Sequence, residues 1–415
     1  MLRSQGYRYE LVIGSGELKH QLVCCAGEAR WLWNLFLAHG QKRRARGEKL
    51  LTYNQMAAAL TKLRAKPELA WLKAGSSAAQ QRVLRNLADA WQRFFSKLAD
   101  APRMHKRGRH DAYGWSGRQH CEWDRKGRRV KVPKLGWLRY RGKRHAEGDL
   151  INVTLRRKGL RWYVSFGCER EVAAPKQQSI RRRIGLDMGI AVHTATSDGR
   201  FEAGPNALQA ELARLAREQR KQSRRKKGSK RRKKQALKVS RLHQRIAHVR
   251  LDHLHKLTTK LAKNHGLVAI EDLRVKNMSK SARGTLAAPG KHVGAKAALN
   301  RRILDQGWGE MRRQLTYKAG WYGSHVVAVP PANTSRRCSS CRHTAKENRT
   351  SQARFCCTHC GTTTNADSNA AKNILLSGLA LYSGRWGRGE RTGRRRGCPA
   401  NELCKPVFTT GIPVL

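Results

Sequence analysis

The chain has 415 residues, a length that suits two or three domains. Its 87 Lys and Arg stand against 28 Asp and Glu, a formal net charge of +59, and such a charge repels itself in a compact protein unless a polyanion lies against it. That excess excludes an ordinary cytosolic small-molecule enzyme and points to nucleic acid over a large footprint, while 39% hydrophobic residues, with 11 Trp, exclude wholesale disorder.

The first residues hold no apolar stretch of signal-peptide length, and no apolar run is long enough to span a bilayer, so a reducing cytosol is expected. Residues 7–13 alternate and are β-rich, which predicts a strand. From about 18 to 98 the apolar spacing is helical. Pro67 and Gly75-Ser76-Ser77 punctuate it, and Ser76 or Ser77 is the expected cap of the following helix. Strand signals return at 129–132, 151–155 and 160–166, so the helical block reads as an insertion into a small barrel or sandwich. Residues 175–179 read as a linker.

An apolar strand follows, ending in Asp187-Met188-Gly189, with a second strand before Ser197-Asp198-Gly199. Between Arg214 and Arg250 lie 17 Lys or Arg and one acid, Glu218, on a weak helical periodicity carried by residues such as Leu215, Leu242 and Ile246. Seventeen cations would repel at i,i+4 without a phosphate partner, so Arg224, Arg225, Lys226, Lys230, Arg231 and Arg232 are expected to contact RNA. Residues 267–273 read as a buried strand with acids at its end and 284–298 as a mobile Gly/Ala stretch. A helix at 308–319, a strand at 325–330 and a helix at 366–379 follow. Residues 383–415, with their Gly-Arg clusters, read as a basic tail that is disordered without nucleic acid.

Five of the 11 Cys crowd between Cys338 and Cys360. Cys338-Ser339-Ser340-Cys341 and Cys357-Thr358-His359-Cys360 are two C-x2-C knuckles 15 residues apart, which together complete a tetrahedral structural Zn²⁺ site. Cys356 would make a poorer C-x3-C knuckle and is left out; Cys24, Cys25, Cys121, Cys168, Cys398 and Cys404 are expected to fill space. Three acids form a second set: Asp187 and Glu271 at the ends of buried strands, and Asp367 at a helix start. In so basic a chain, acids kept beside buried strands suggest a site for divalent metal, Mg²⁺ or Mn²⁺, of the kind two-metal phosphodiester hydrolysis needs. Tyr53, Ser77, Gln80 and Gln81 lie near helix starts, where polar side chains can reach base edges.

Taken in order, Ile184-Gly185-Leu186-Asp187-Met188-Gly189-Ile190, Ile270-Glu271-Asp272-Leu273, Thr334-Ser335-Arg336-Arg337-Cys338, Phe355-Cys356-Cys357-Thr358-His359-Cys360-Gly361 and Asn365-Ala366-Asp367-Ser368-Asn369-Ala370-Ala371-Lys372-Asn373-Ile374 resemble one family. It is TnpB (OrfB), the insertion-sequence-encoded RNA-guided DNA endonucleases related to type V CRISPR effectors. The likeness covers nearly the whole chain, including Arg241-Leu242-His243, Leu254-His255-Lys256-Leu257-Thr258 and the final Ile412-Pro413-Val414-Leu415.

The resemblance implies a multidomain α/β protein. A wedge β-barrel would span 1–17 and 102–174, with a helical recognition lobe at 18–101. A RuvC-like nuclease domain of RNase H-like fold would span 180–332 and 364–382, with a zinc ribbon at 333–363 and the tail at 383–415. It further implies that Asp187, Glu271 and Asp367 are the metal-binding catalytic acids, that a guide RNA comes from the element's own end, and that double-stranded DNA is cut beside a short adjacent motif. Tyr53, Ser77, Gln80 and Gln81 correspond by position to that motif's contacts. The setting implied is the prokaryotic cytoplasm, at the nucleoid, with neither a membrane nor a small-molecule substrate as partner. Two departures stand out: Arg342 occupies a position where the family usually has Gly, and Met188 one where Leu is common. A catalytically silent nucleic-acid-binding regulator would share the scaffold, but the three intact acids disfavour it; a miniature type V CRISPR effector would be separated only by neighbouring DNA. A transposase that joins DNA ends would order its acids Asp, Asp, Glu instead of Asp, Glu, Asp.

Overall fold

The structure, a computed structural model, describes residues 1–142, 144–159 and 161–386. Most of the expected tail, with Cys398 and Cys404, lies outside the described residues; its first four residues end a helix instead. The chain forms two compact units, Met1–Ala173 and a second beginning at Ala174.

In the first unit, β1 (Leu2–Leu11) leads into α1 (Gly16–Ala45), α2 (Tyr53–Ala65), α3 (Trp71–Ala74) and α4 (Ser77–Phe95). Then come β2 (Ala112–Ser116), α5 (Gly117–His120), β3 (Glu122–Asp124), β4 (Arg129–Val132), β5 (Gly136–Arg141), β6 (Asp149–Lys158) and β7 (Arg161–Glu171). The seven strands form one antiparallel sheet in the order β2-β6-β7-β1-β5-β4-β3. The strand expected at 7–13 begins earlier because β1 pairs with β7 from Leu2 opposite Glu171 to Glu10 opposite Tyr163. Alternate residues Tyr7, Tyr9 and Leu11 of β1 and Trp162, Val164, Phe166 and Cys168 of β7 face the core. The sheet is rolled. Trp123 of the terminal strand β3 stacks on Phe166 of β7 at 4.7 Å, although a flat sheet would set those strands four spacings of about 4.8 Å apart. Ser76 caps α4: its hydroxyl accepts from the Ala79 amide at 3.4 Å and from the Trp115 indole N–H at 2.9 Å.

The second unit contains β8 (Arg183–Asp187), β9 (Thr194–Thr196), β10 (Phe201–Glu202), α6 (Ala207–Ser223), α7 (Lys230–Asn264) and β11 (Leu267–Glu271). It continues with α8 (Val275–Met278), α9 (Val293–Gln306), α10 (Trp308–Tyr322), β12 (His325–Val329), β13 (Arg354–Cys356), β14 (Thr363–Asn365) and α11 (Ala366–Trp386). Its main sheet runs β10-β9-β8-β11-β12: the first three strands are an antiparallel meander, then β11 joins β8 and β12 joins β11 in parallel. Two expectations need correcting. The Gly/Ala stretch is helical from Val293, since Ala295, Ala297, Ala298 and Leu299 are strong helix formers. The last helix runs seven residues past 379, to Trp386. Among the described residues, no helix is long and apolar enough to cross a membrane.

The helix α11 lies directly on the sheet. A Cβ at Gly185 of β8 would sit 2.2 Å from the Ala371 carbonyl oxygen and 2.7 Å from the Leu375 amide. At Gly378 it would sit 2.5 Å from the Cβ of Ala269 on β11. Both glycines are therefore demanded by close approach. Gly185→Ala is expected to push α11 off β8 and lower the unfolding free energy by roughly 1–3 kcal/mol, read as a lower denaturant midpoint with an unchanged slope.

Candidate functional site

The parallel register of β8 and β11 places Leu186 beside Ile270. The next residues, Asp187 and Glu271, therefore end neighbouring strands about 4.8 Å apart. Asp367 reaches the same place from α11, where the Asn365 side-chain oxygen accepts from the amides of Asp367 at 2.9 Å and Ser368 at 3.2 Å. That cap fixes Asp367 in the first helical turn. All three acids line one cleft, together with Thr334, Arg349 and Gln352.

Burial and like charge dominate its electrostatics. Desolvation, then the nearby Glu271 and Asp367, push the Asp187 carboxyl up to about 7, against a smaller opposite pull from Arg349. Burial also raises Glu271, whose Oε1 accepts from the Thr334 hydroxyl at 2.7 Å. Asp367 is raised by burial and held back by Arg349, whose guanidinium lies 3.5 Å from its Oδ1. Three carboxylates with one cation beside them form a donor set of the hard oxygen type that Mg²⁺ and Mn²⁺ prefer.

The four expected thiols meet. Their sulfurs all lie within 4.8 Å of one another, with Cys338 to Cys360 at 3.7 Å and Cys341 to Cys357 at 3.5 Å. A tetrahedron with Zn–S of about 2.3 Å has edges of about 3.8 Å, so the cluster fits that ion. Cys356 stands apart on β13, accepting from the Thr363 hydroxyl at 3.6 Å. The knuckles repeat one turn. In each, the first cysteine's carbonyl accepts from the residue after the second cysteine: Arg342 N to Cys338 O at 3.1 Å, and Gly361 N to Cys357 O at 3.0 Å. Both positions have φ +68, so Arg342 occupies a left-handed conformation that suits glycine.

Sequence reasoning missed the residues that tie the two centres together. Asn369 and Asn373 stand one turn apart on α11. Their amides donate to the Arg337 carbonyl at 2.8 and 2.6 Å, that of Asn373 also to the Thr334 carbonyl at 2.9 Å, and the Asn369 oxygen accepts from the Ser339 amide at 2.9 Å. The buried Asn348 joins the knuckles, donating to the His343 carbonyl at 3.2 Å and accepting from the Thr358 amide at 2.9 Å. A readable signal existed for the helix: Asn365, Asn369 and Asn373 recur every fourth residue, which puts them on one helical face.

The expected nucleic-acid contacts divide. Ser77 and Gln81 are exposed at the start of α4, and Tyr53 is half-buried under the Arg85 guanidinium. Gln80 is a correction: it is 2% exposed, and its amide is used internally by Glu28, by Arg64 and by the Leu72 carbonyl at 2.8 Å. Its position three residues after Ser77 turns it onto the buried face of α4. Arg224, Lys226, Lys230 and Arg231 are exposed. Arg232 is not presented in the same way: it donates to the carbonyls of Gln222 at 2.8 Å and Arg225 at 2.7 Å, closing the end of α6. Arg225 donates to the Arg231 carbonyl at 2.8 Å.

Residues 165–282 match the family profile OrfB_IS605, described as "Probable transposase", and residues 308–374 match the Cas12f1-like TNB domain. The chain is 45% identical to "Putative RNA-guided DNA endonuclease InsQ" of Escherichia coli strain K12, over 92% of its own length and 94% of the relative's. It is 34% identical to a "Putative RNA-guided DNA endonuclease" of Streptomyces pristinaespiralis, over 94% and 93%. Among solved structures, the chain of a Cas12f1-sgRNA-target DNA complex superposes with a TM-score of 0.53 at 12% identity, covering 90% of this chain and 98% of that one, a likeness of fold.

The raised Asp187 carboxyl predicts a pH dependence. Unfolded, it ionises near pH 4; folded and without divalent metal, it does so near 7. Folding therefore takes up a proton between those values, and stability falls as pH rises through them. In magnesium-free buffer, Asp187→Asn should melt higher than wild type at pH 8, and the gap should close as pH falls toward 4.

Proposed function

We propose, for a chain that belongs to the TnpB (OrfB) family, the activity of an RNA-guided, divalent-metal-dependent DNA endonuclease. One observation carries the reading: two parallel strands and one helix bring Asp187, Glu271 and Asp367 to a single cleft. The sheet order β10-β9-β8-β11-β12 supports assigning this unit to the RNase H-like, RuvC-like nucleases. Two divalent ions held by the three acids would supply the activated water and stabilise the departing oxygen of a phosphodiester.

The chain's own residues prepare for that chemistry. Thr334 fixes one oxygen of Glu271 and so orients the carboxylate. Arg349 offsets part of the charge on Asp367 and Asp187 and is a cation in reach of an incoming phosphate. The four cysteines would hold Zn²⁺ in a ribbon whose base is pinned to α11 by Asn369 and Asn373. In the first unit, the rolled sheet is read as the wedge and helices α1–α4 as the recognition lobe. Ser77, Gln81 and Tyr53 would meet DNA beside the target. The guide RNA, taken to come from the element's own end, would lie along the exposed cations of the α6–α7 hairpin. The catalytically silent alternative is an outcome of the test below.

Purified protein is expected to contain close to one zinc per chain by elemental analysis, and Cys338→Ser to lose it together with local folding. Asp187→Ala should abolish cleavage of guide-matched DNA in Mg²⁺, and leave RNA and target binding near wild type, since these depend on cations and base pairing remote from the acids. Adding Glu271→Ala should cost nothing further, because a site lacking one ligand is already disabled. Wild-type cleavage by Asp187→Ala would overturn the catalytic assignment; a wild type that binds targets and never cuts would establish the regulator.

A further inference from the structure

The loop that leads from α4 into β2 carries an unusual combination of charge and rigidity. Within seven residues, Arg103, Lys106, Arg107 and Arg109 are all exposed. Among the described residues, the one acid paired with them is Asp100, 4.0 Å from Arg103 and itself exposed. A run of like charges ordinarily relaxes by fluctuating in solvent. This one is held.

Its backbone is bound to α1 on both sides. Asn34 donates to the His105 carbonyl at 3.0 Å and accepts from the His105 amide at 2.7 Å, while the Trp33 indole donates to the Arg103 carbonyl at 3.0 Å. Three rings stack in parallel: Trp33 on His105 at 4.2 Å and 5°, and His105 on His110 at 4.6 Å and 4°. His110 Nδ1 accepts from the Lys106 amide at 2.8 Å. Burial, with help from His110 and Arg30, holds the His105 pKa down to about 4, so the middle ring is neutral and stacks without adding charge. Beneath the loop, Asp111 is 3% exposed, bound by Arg30 and by the Gly108 amide at 3.1 Å, with Arg157 at 3.7 Å. The buried anion is thus already used by cations of the scaffold, and Lys106, Arg107 and Arg109 are left exposed.

We propose that the loop at 103–110 is a preorganised docking site for a phosphodiester backbone, with Lys106, Arg107 and Arg109 contacting phosphates and the Trp33–His105–His110 stack holding them in place. Fixing like charges costs repulsion that an anion repays, and a rigid loop gives up little entropy when the anion arrives. The chemistry is common to RNA and DNA. Only the choice of probes rests on the nucleic-acid function proposed above, and no guide or cleavage is needed to test it.

The experiment measures binding of the full chain, across a salt titration, to a single-stranded RNA of about 30 nucleotides and to a DNA duplex of about 30 base pairs. In Lys106→Ala/Arg107→Ala/Arg109→Ala the slope of log affinity against log salt should fall by about 2–3, at roughly 0.7 per contact on single strands and 0.9 on duplex. Loss on RNA alone identifies RNA as the source, loss on duplex alone identifies DNA, and loss on both gives the shared backbone. Arg107→Lys/Arg109→Lys, which keeps the charge, should retain the slope. Asn34→Ala, which loosens the loop without removing charge, should weaken binding severalfold at an unchanged slope. A triple variant that folds and shows wild-type slopes on both probes would overturn the site. Wild-type affinity in Asn34→Ala would overturn the preorganisation. If instead the slopes change as expected while wild type never cleaves DNA, the endonuclease reading fails and this one stands.

Discussion

Carboxyl groups gathered out of water repel one another and lose hydration together, and the second unit is built to hold three of them in one cleft regardless. The restraint is distributed. Asp187 and Glu271 cannot separate because their strands are hydrogen-bonded in parallel register up to the residue before each acid. Asp367 cannot withdraw because α11 rests on β8 through a contact only glycine permits at 185. Repulsion of this kind is relieved by a proton, as the raised Asp187 carboxyl shows, and would be relieved by a small, highly charged cation. Arg349 satisfies a fraction of the demand from 3.5 Å; a single guanidinium cannot neutralise three acids.

The cysteine cluster and the acid cleft are mechanically one structure. The segment from Thr334 to Ser339 leaves the cleft and enters the first knuckle, and along it Asn373 and Asn369 bind the carbonyls of Thr334 and Arg337 and the amide of Ser339. Thr334 itself donates to Glu271. Arg349 comes from between the knuckles and faces Asp367. Disturbing the thiol cluster would therefore move two groups that touch the acids. Side-chain amides suit this work because each offers a donor and an acceptor to a backbone that has left regular structure and must still pair its polar groups.

What was legible in the sequence followed from short-range rules. The knuckle pairs stand at a spacing with a direct physical meaning, and the four thiols do converge; the three acids were legible as the ends of apolar strands and the start of a helix, and their joint role came from the family resemblance. Gln80 shows where such reasoning fails. Its residue type suits base reading, but three positions after Ser77 the helix has turned it inward to Glu28 and Arg64, and burial of that face is a tertiary fact. Arg232 shows a related limit: in a run of cations nothing local marks the one that folds back on the preceding helix end. The Asn369 and Asn373 clamp had a periodic signal, but its partners are backbone carbonyls more than thirty residues away.

The departure at Arg342 can be weighed by magnitude. A non-glycine residue in the left-handed region costs about 1–2 kcal/mol, and the equivalent residue of the second knuckle, Gly361, avoids that cost at the same φ of +68. Structural zinc contributes an apparent 10–16 kcal/mol in small Cys and His sites near neutral pH, roughly tenfold more. A four-thiolate site can therefore tolerate one strained turn. The residue in that position here is an exposed cation. In a chain with +59 formal charge, the first knuckle gives up a little backbone ease and gains one more positive group facing solvent.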